Sequence, residues 1–290
     1  MSKMSIRFYK DREVRAVWDD ETDKWWFSAV DVVAAINEED DSNKSRRYWN
    51  TFKSRHEEFQ SSTICRQLKM TAIDGKRYLT DAVDQETISK IARAINNKKA
   101  NEFLEWFEYS DKTIDGRSQK KAYELFDSPV YDQIEVGTTK GLQQIHAFIF
   151  GGLYDYAGKI RTKNIAKDSF QFAPVQFLDQ TLRDIEAMPE NTFDEIIDKY
   201  VEMNIAHPFM EGNGRSTRIW LDLILKKNLA KCVDWSQIEK QEYLDAMKHS
   251  TVDGSEIKRL IKAALTDKIN DREMFMKGID YSYYYEQPEQ

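Results

Sequence analysis

The sequence predicts a mainly α protein: a helical back domain that carries a small β-hairpin, preceded by a small α+β domain. Three features point there. The first third alternates short strand-like runs with helical ones across polar turns. Beyond about residue 120, apolar residues recur at helical spacing. The residues that punctuate loops are also unevenly spread: all five prolines lie at or after Pro129, and only one of eleven glycines, Gly75, precedes Gly116. A length of 290 residues, 41% of them hydrophobic, is enough for two domains.

Each element has a local reason. Residues 6–9, 13–18 and 24–27 read as strands, the last following a polar turn at 19–23. Ser28 is a candidate N-cap, because Val30, Val33, Ala34 and Ile36 follow at helical spacing. After an acidic loop at 38–41, residues 45–59 read as a helix. Residues 67–70 and 77–79, around Asp74-Gly75, read as a hairpin. Thr80-Asp81 is the expected cap of a helix through Ile95, and residues 100–109 form another. This front domain spans 1–111. The polar stretch that follows, within 112–125, is a linker or the polar start of a helix.

The back domain, 126–270, opens with Leu142, Ile145, Phe148 and Ile149 on one helical face. Phe193, Ile196, Ile197, Tyr200 and Val201 form a second buried stripe. Residues 219–225 are almost wholly apolar, which predicts a central helix, and 238–249 and 255–269 predict two more. Between the first two helices of this domain, 159–172 reads as a small hairpin, and 271–290 follows the last as a C-terminal helix or tail.

Charge and cysteine content exclude several function classes. Forty-three Lys and Arg against 50 Asp and Glu give a net charge of −7, unsuited to bulk binding of nucleic acid or anionic lipid. No apolar run is long enough to span a membrane, and residues 1–10 lack an apolar signal core. Cys65 and Cys232 form neither metal spacing nor a disulfide framework. A cytoplasmic, reducing location with no membrane partner is expected.

The chemistry concentrates in His207-Pro208-Phe209-Met210-Glu211-Gly212-Asn213-Gly214-Arg215-Ser216-Thr217-Arg218. Pro208 disfavours helix at His207, so the preceding helix should stop there and present His207 to a loop. Gly212, Asn213 and Gly214 all tolerate positive φ, and such turns can aim successive amides at an anion. A helix expected to start near Ser216 would turn its positive end to the same loop. Arg215 and Arg218, three apart, carry planar forks that match phosphate oxygens. Glu211 is a hard oxygen ligand, and one carboxylate with substrate phosphates is the usual way to hold Mg²⁺. Taken singly, these residues are a helix-end histidine, a turn and surface charges; together they imply chemistry on a nucleoside polyphosphate. Ala157-Gly158-Lys159-Ile160 only glances at a P-loop: Gly152 is one residue too distant, and Ile160 stands where Ser or Thr would bind metal.

His207–Arg218 resembles the Fic-family signature H-P-F-x-[DE]-G-N-G-R-x-x-R at every fixed position. Residues 154–161 and 170–174 resemble the segment that builds that family's flap. The resemblance implies a mainly helical Fic-type fold and transfer of AMP from ATP to a protein hydroxyl. Carried over by position, His207 takes the target's proton and Glu211 binds Mg²⁺. Phe209, Gly212, Asn213 and Gly214 belong to the nucleotide loop, with Asn213 and the glycine amides on the α- and β-phosphates. Arg215 offsets charge on the β-phosphate, and Arg218 engages the γ-phosphate. Residues 162–169 are the candidate flap edge for pairing with a target strand. The partner implied is a protein with a Ser, Thr or Tyr hydroxyl.

The C-terminus reads Tyr281-Ser282-Tyr283-Tyr284-Tyr285-Glu286-Gln287, a run that should pack rather than fray. Ser282 and Glu286 resemble the family's inhibitory pattern [ST]-x-x-x-E-[GN], with Gln287 in place of Gly or Asn. By that resemblance Glu286 would pair with Arg218 and hold the enzyme off in cis. The clustered tyrosines are also candidate acceptors for self-modification.

The front domain resembles the Bro N-terminal domain of viral and phage antirepressor-like proteins. The resembling residues include Trp26–Val32, Tyr48-Trp49, Gln67–Met70, Asp74–Lys76 and Thr80-Asp81. Arg46, Arg47, Lys53 and Arg55, interleaved with Tyr48 and Trp49, could contact DNA or form a solvated face. Residues 1–111 hold 19 basic and 21 acidic residues, net −2, which does not favour DNA. Two readings therefore stand: a cis-regulated AMP transferase, or a DNA- or protein-binding regulator whose Fic part is a nucleotide-sensing or inactive scaffold.

Overall fold

The computed structural model describes residues 4–22, 24–72, 76–110, 112–167 and 170–287. The chain divides into two compact units, Met1–Thr113 and Ile114–Pro288.

The first unit contains strands β1 (Met4–Tyr9), β2 (Arg12–Asp19), β3 (Lys24–Ser28), β4 (Cys65–Thr71) and β5 (Arg77–Asp84). They form one antiparallel sheet in the order β1-β2-β3-β5-β4. Helices α1 (Ala29–Asn37), α2 (Ser42–Arg55), α3 (Gln85–Ile95) and α4 (Lys98–Ser110) complete it. Strand alternation sorts the core. Ala16 and Phe27 join the cluster built with Val32, Val33, Ile36, Trp49, Phe103 and Phe107. Their neighbours Val17 and Trp26 enter a separate cluster with Met70 and Ala82.

Ser28 caps α1, its hydroxyl accepting from Asp31 N–H at 3.3 Å. α2 starts three residues before the expected position, because Asp41 caps it through the N–H groups of Asn43 and Lys44 at 2.8 and 3.2 Å. It ends at Arg55, and Glu57–Gln60 is a separate 3-10 turn. The expected cap at Thr80-Asp81 is displaced. Pairing of Ala82, Val83 and Asp84 with Ser28, Phe27 and Trp26 extends β5, and Asp84 caps α3 through Thr87 N–H at 2.9 Å. Asp81 instead accepts from Trp49 Nε1 at 2.6 Å and Lys53 Nζ at 2.5 Å. Trp49 and Lys53 are therefore structural, whereas Arg46, Arg47, Arg55 and Tyr48 are exposed on α2. The hairpin of β4 and β5 pairs from Cys65↔Val83 to Thr71↔Arg77, and its expected Asp74-Gly75 turn lies outside the described residues.

The second unit is mainly helical. α5 (Ile114–Phe126) shows that the polar stretch is the start of a helix. α6 (Thr139–Phe150), α7 (Val175–Ala187), α8 (Phe193–Ala206) and α9 (Asn213–Leu229) follow. α10 (Lys240–His249), α11 (Ser255–Ala263) and α12 (Arg272–Tyr285) complete the set. β6 (Ala166–Lys167) and β7 (Phe170–Gln171) make the small hairpin between α6 and α7, with Asp168 and Ser169 outside the described residues. α9 is the central helix: Trp220, Leu221, Ile224 and Leu225 are fully buried, and α6, α8 and α12 pack on it. The helix expected over 255–269 stops at Ala263, because Leu265–Thr266 (β9) pairs with Cys232–Val233 (β8). Among the described residues, no helix is long and apolar enough to cross a membrane.

Candidate active site

α8 ends where the proline requires. His207 takes a left-handed conformation, φ 48° and ψ 65°, while its N–H still reaches Met203 O at 3.1 Å. In the Gly-Asn-Gly triple only Gly212, at φ 78°, is left-handed; Asn213 and Gly214 are already helical. α9 thus begins at Asn213, three residues before the expected position. The reason is a double hydrogen bond: Asn213 Oδ1 accepts from Phe209 N–H, and Asn213 Nδ2 donates to Phe209 C=O, both at 2.8 Å. That staple closes the loop in one turn and leaves the carboxamide one further N–H to donate. A Cβ at Gly212 would overlap the Phe150 ring, and one at Gly214 would overlap the Glu286 carboxylate. Gly212 offers no side-chain cap, so the first-turn amides of α9 face the loop as an anion cradle.

His207 Nδ1 lies 3.2 Å from Asn204 C=O. A carbonyl only accepts, so Nδ1 carries the proton and the neutral ring has its lone pair on Nε2. Phe172, just after β7, stacks on the imidazole with centroids 3.7 Å apart and planes 15° from parallel. Both contacts fix the ring of the expected base.

The two arginines sit in separate cages. Arg215 is 4% exposed, bonds Glu211 Oε1 at 2.9 Å and pairs with Asp115 of α5. Its guanidinium lies 5.1 Å from the Phe150 centroid and 5.3 Å from that of Tyr283. Arg218 is 2% exposed. Its Nε donates to Ser282 Oγ at 2.7 Å, Nη2 to Ser282 C=O at 2.8 Å and to Glu286 at 2.5 Å, and Nη1 to Tyr243 OH at 3.2 Å. Burial opposes its charge, but Tyr243 and Glu286 more than offset that and hold it cationic. Ser282 and Glu286 are thus one turn apart on α12 and meet the same guanidinium. Tyr283 and Tyr285 are buried with hydroxyls bonded to Ser118 and to the Trp235 and Ile238 carbonyls. Of the four clustered tyrosines, Tyr281 and Tyr284 are the half-exposed ones.

Glu211 is half-exposed and bonded to Arg215, and no group of three or more His, Cys, Asp or Glu converges among the described residues. A single accessible carboxylate beside a phosphate cradle fits the way Mg²⁺ is held together with substrate oxygens.

Three residues have positioning roles that the sequence does not assign them. Arg161, 3% exposed, donates to the carbonyls of His207 at 2.8 Å, Ala206 at 3.1 Å, Lys163 at 2.8 Å and Ala173. It ties the end of α8 to both ends of the hairpin. Tyr243 belongs to the Arg218 cage and bonds Tyr200 OH at 2.6 Å. His146 of α6 is fully buried; Nδ1 accepts from Gly158 N–H and Nε2 donates to Glu211 C=O, each at 2.9 Å. In sequence it is merely a polar residue on an apolar helix face.

Burial pushes the His146 pKa down to about 4. Folding therefore favours the neutral ring, which contributes fully above the ordinary value of about 6.5 and is lost as pH falls towards 4. At pH 5 the expected loss is about 2 kcal/mol relative to pH 7. Thermal melts of wild type and His146→Gln across that range check this: the wild-type curve should fall more steeply on acidification.

Residues 137–225 match the family model described as Fic, the Fic/DOC family. A curated relative, the protein adenylyltransferase VbhT of Bartonella schoenbuchensis, is 32% identical over 154 residues, which is 48% of this chain and 32% of that one. The chain therefore spans about a third of that relative's length. Among solved structures, BepC of Bartonella tribocorum with bound AMPPNP is 17% identical with a TM-score of 0.47, covering 55% of this chain and 87% of that one. The N-terminal Fic domain of a Bartonella quintana cell filamentation protein with bound ADP is 16% identical with a TM-score of 0.45, covering 55% and 86%.

Proposed function

We propose that the second unit is a protein adenylyltransferase that moves AMP from ATP to a hydroxyl of a protein target and is held off in cis by Glu286. The carrying observation is the placement of His207, the α9 amides, Arg215 and Arg218 around one loop, with Glu286 seated on Arg218. His207 Nε2 takes the proton of the attacking hydroxyl as its oxygen bonds the α-phosphorus. The bond from that phosphorus to the bridging oxygen breaks, and pyrophosphate leaves with the electron pair. Arg215 and the α9 amides offset the charge that develops on the leaving group. Glu211 would hold Mg²⁺, which supplies further neutralisation of the phosphates. Asn213 closes the loop and keeps one side-chain N–H for the phosphates, beside the backbone amides.

With Glu286 on it, Arg218 is unavailable to the γ-phosphate, and ATP binds in a pose unsuited to transfer. The hairpin of β6 and β7 is the target-docking edge, and a cytoplasmic location goes with this reading. The transferred group identifies the reaction. With Mg²⁺ and ATP labelled at the α- or γ-phosphate, label should enter protein from the α position alone. Entry from the γ position would mean phosphate transfer and overturn the assignment.

A second reading gives residues 1–111 a Bro-type recruiting role, favoured by the exposure of Arg46, Arg47, Tyr48 and Arg55 along α2. The full chain should then bind duplex DNA at ~50 mM salt and release it as salt rises. Replacing the three arginines by alanine should abolish that binding. No binding at the lower salt removes the DNA role.

A further inference from the structure

We infer that Asp115 sets the affinity of the nucleotide site by occupying, within the same chain, the phosphate position at Arg215; this rests on the nucleotide reading above. Asp115 lies on the first turn of α5, one hundred residues before the arginine it meets. Its carboxylate takes Nη1 of Arg215, while Glu211 takes Nη2 at 2.9 Å. The two partners differ sharply in burial: the Arg215 side chain is 5% exposed and that of Asp115 is 69% exposed. The arginine is therefore the fixed element, held on α9 between the Phe150 and Tyr283 rings, and the carboxylate is the displaceable one.

The chemistry of the pair favours exchange. A carboxylate presents two oxygens to a guanidinium fork, as a phosphate does. Arg215 Nε is buried and has no hydrogen-bond partner among the described residues, so the present acceptors leave one donor unmet. A polyphosphate brings more oxygens to the same fork. Asp115 also places a negative charge beside the position a β-phosphate would take, which repels the nucleotide until the side chain swings away. Each arginine of the site is thus covered by a carboxylate from a different helix, Arg218 by Glu286 of α12 and Arg215 by Asp115 of α5. Glu286 governs the pose of the γ-phosphate; Asp115 governs how tightly the nucleotide binds.

Calorimetric titration of the full chain with ATP and Mg²⁺ tests this. Asp115→Asn and Asp115→Ala should each tighten Kd by about three- to tenfold, the worth of a displaced, partly exposed ion pair. A tightening in the same direction should appear in a Glu286→Gly background, because Glu286 bonds Arg218 and Asp115 bonds Arg215. Because Glu211 stays on Arg215, the melting temperature without nucleotide should fall by only about 2–4 °C. Unchanged or weaker ATP affinity in both variants would overturn the inference, since Asp115 would then orient Arg215 rather than compete for it. If neither wild type nor Glu286→Gly binds ATP, the nucleotide reading itself fails.

Discussion

Glu286→Gly should raise AMP transfer by about 10- to 100-fold. A charge-assisted hydrogen bond to a buried guanidinium is worth roughly 1.5–3 kcal/mol, and that is the handicap a productive γ-phosphate must overcome while the glutamate is in place. The substitution also leaves Arg218 buried with Ser282 and Tyr243 but without its carboxylate. An uncompensated buried charge is destabilising, so the variant should melt at a lower temperature than wild type without nucleotide. ATP supplies the missing anion, so it should raise the variant's melting temperature more than it raises that of wild type. The two readouts together separate release of a brake from general loosening, which would lower stability without raising transfer.

His207→Ala, made in the Glu286→Gly chain, should cut transfer by about 10²–10⁴-fold, the usual contribution of a general base. His207 bonds Asn204 C=O and stacks on Phe172, and its assigned role is with the attacking hydroxyl rather than with the phosphates. ATP affinity should therefore stay within a factor of about two, so the loss appears in turnover and not in nucleotide binding. Single-turnover rates beside equilibrium titration make the division. An equal loss in affinity would assign His207 to nucleotide binding instead.

The chemistry of the site was legible because it is local. Pro208 stops α8, Gly212 turns the chain, and the arginines follow within one turn and a half of α9. Legibility failed wherever a distant partner decided the outcome. Asn213 reads as a residue of a flexible turn, but its bonds to Phe209 draw it into the first turn of the helix. The expected cap at Thr80-Asp81 gave way because pairing with β3 extends β5 to Asp84, and Asp81 is taken by Trp49 and Lys53 of α2. Asp115 and His146 have no spacing that marks them, and Arg161 is marked only as the last residue of the flap-like segment. Their roles come from carbonyls or a guanidinium group 45 to 100 residues away in sequence, and for His146 and Arg161 from burial as well. The basic-aromatic run of α2 shows both sides: helical spacing separated an outer face from an inner one, but only packing shows that Trp49 and Lys53 belong inside.

One measurement bears on the central claim most directly. The full chain, its Glu286→Gly variant and the Glu286→Gly/His207→Ala double variant are incubated with α-labelled ATP and Mg²⁺, and intact mass identifies the adduct on protein. The account predicts AMP adducts that are abundant with Glu286→Gly, sparse with wild type and absent with the double variant. Equal adduct with wild type and Glu286→Gly would contradict the brake, and adduct persisting in the double variant would contradict the site.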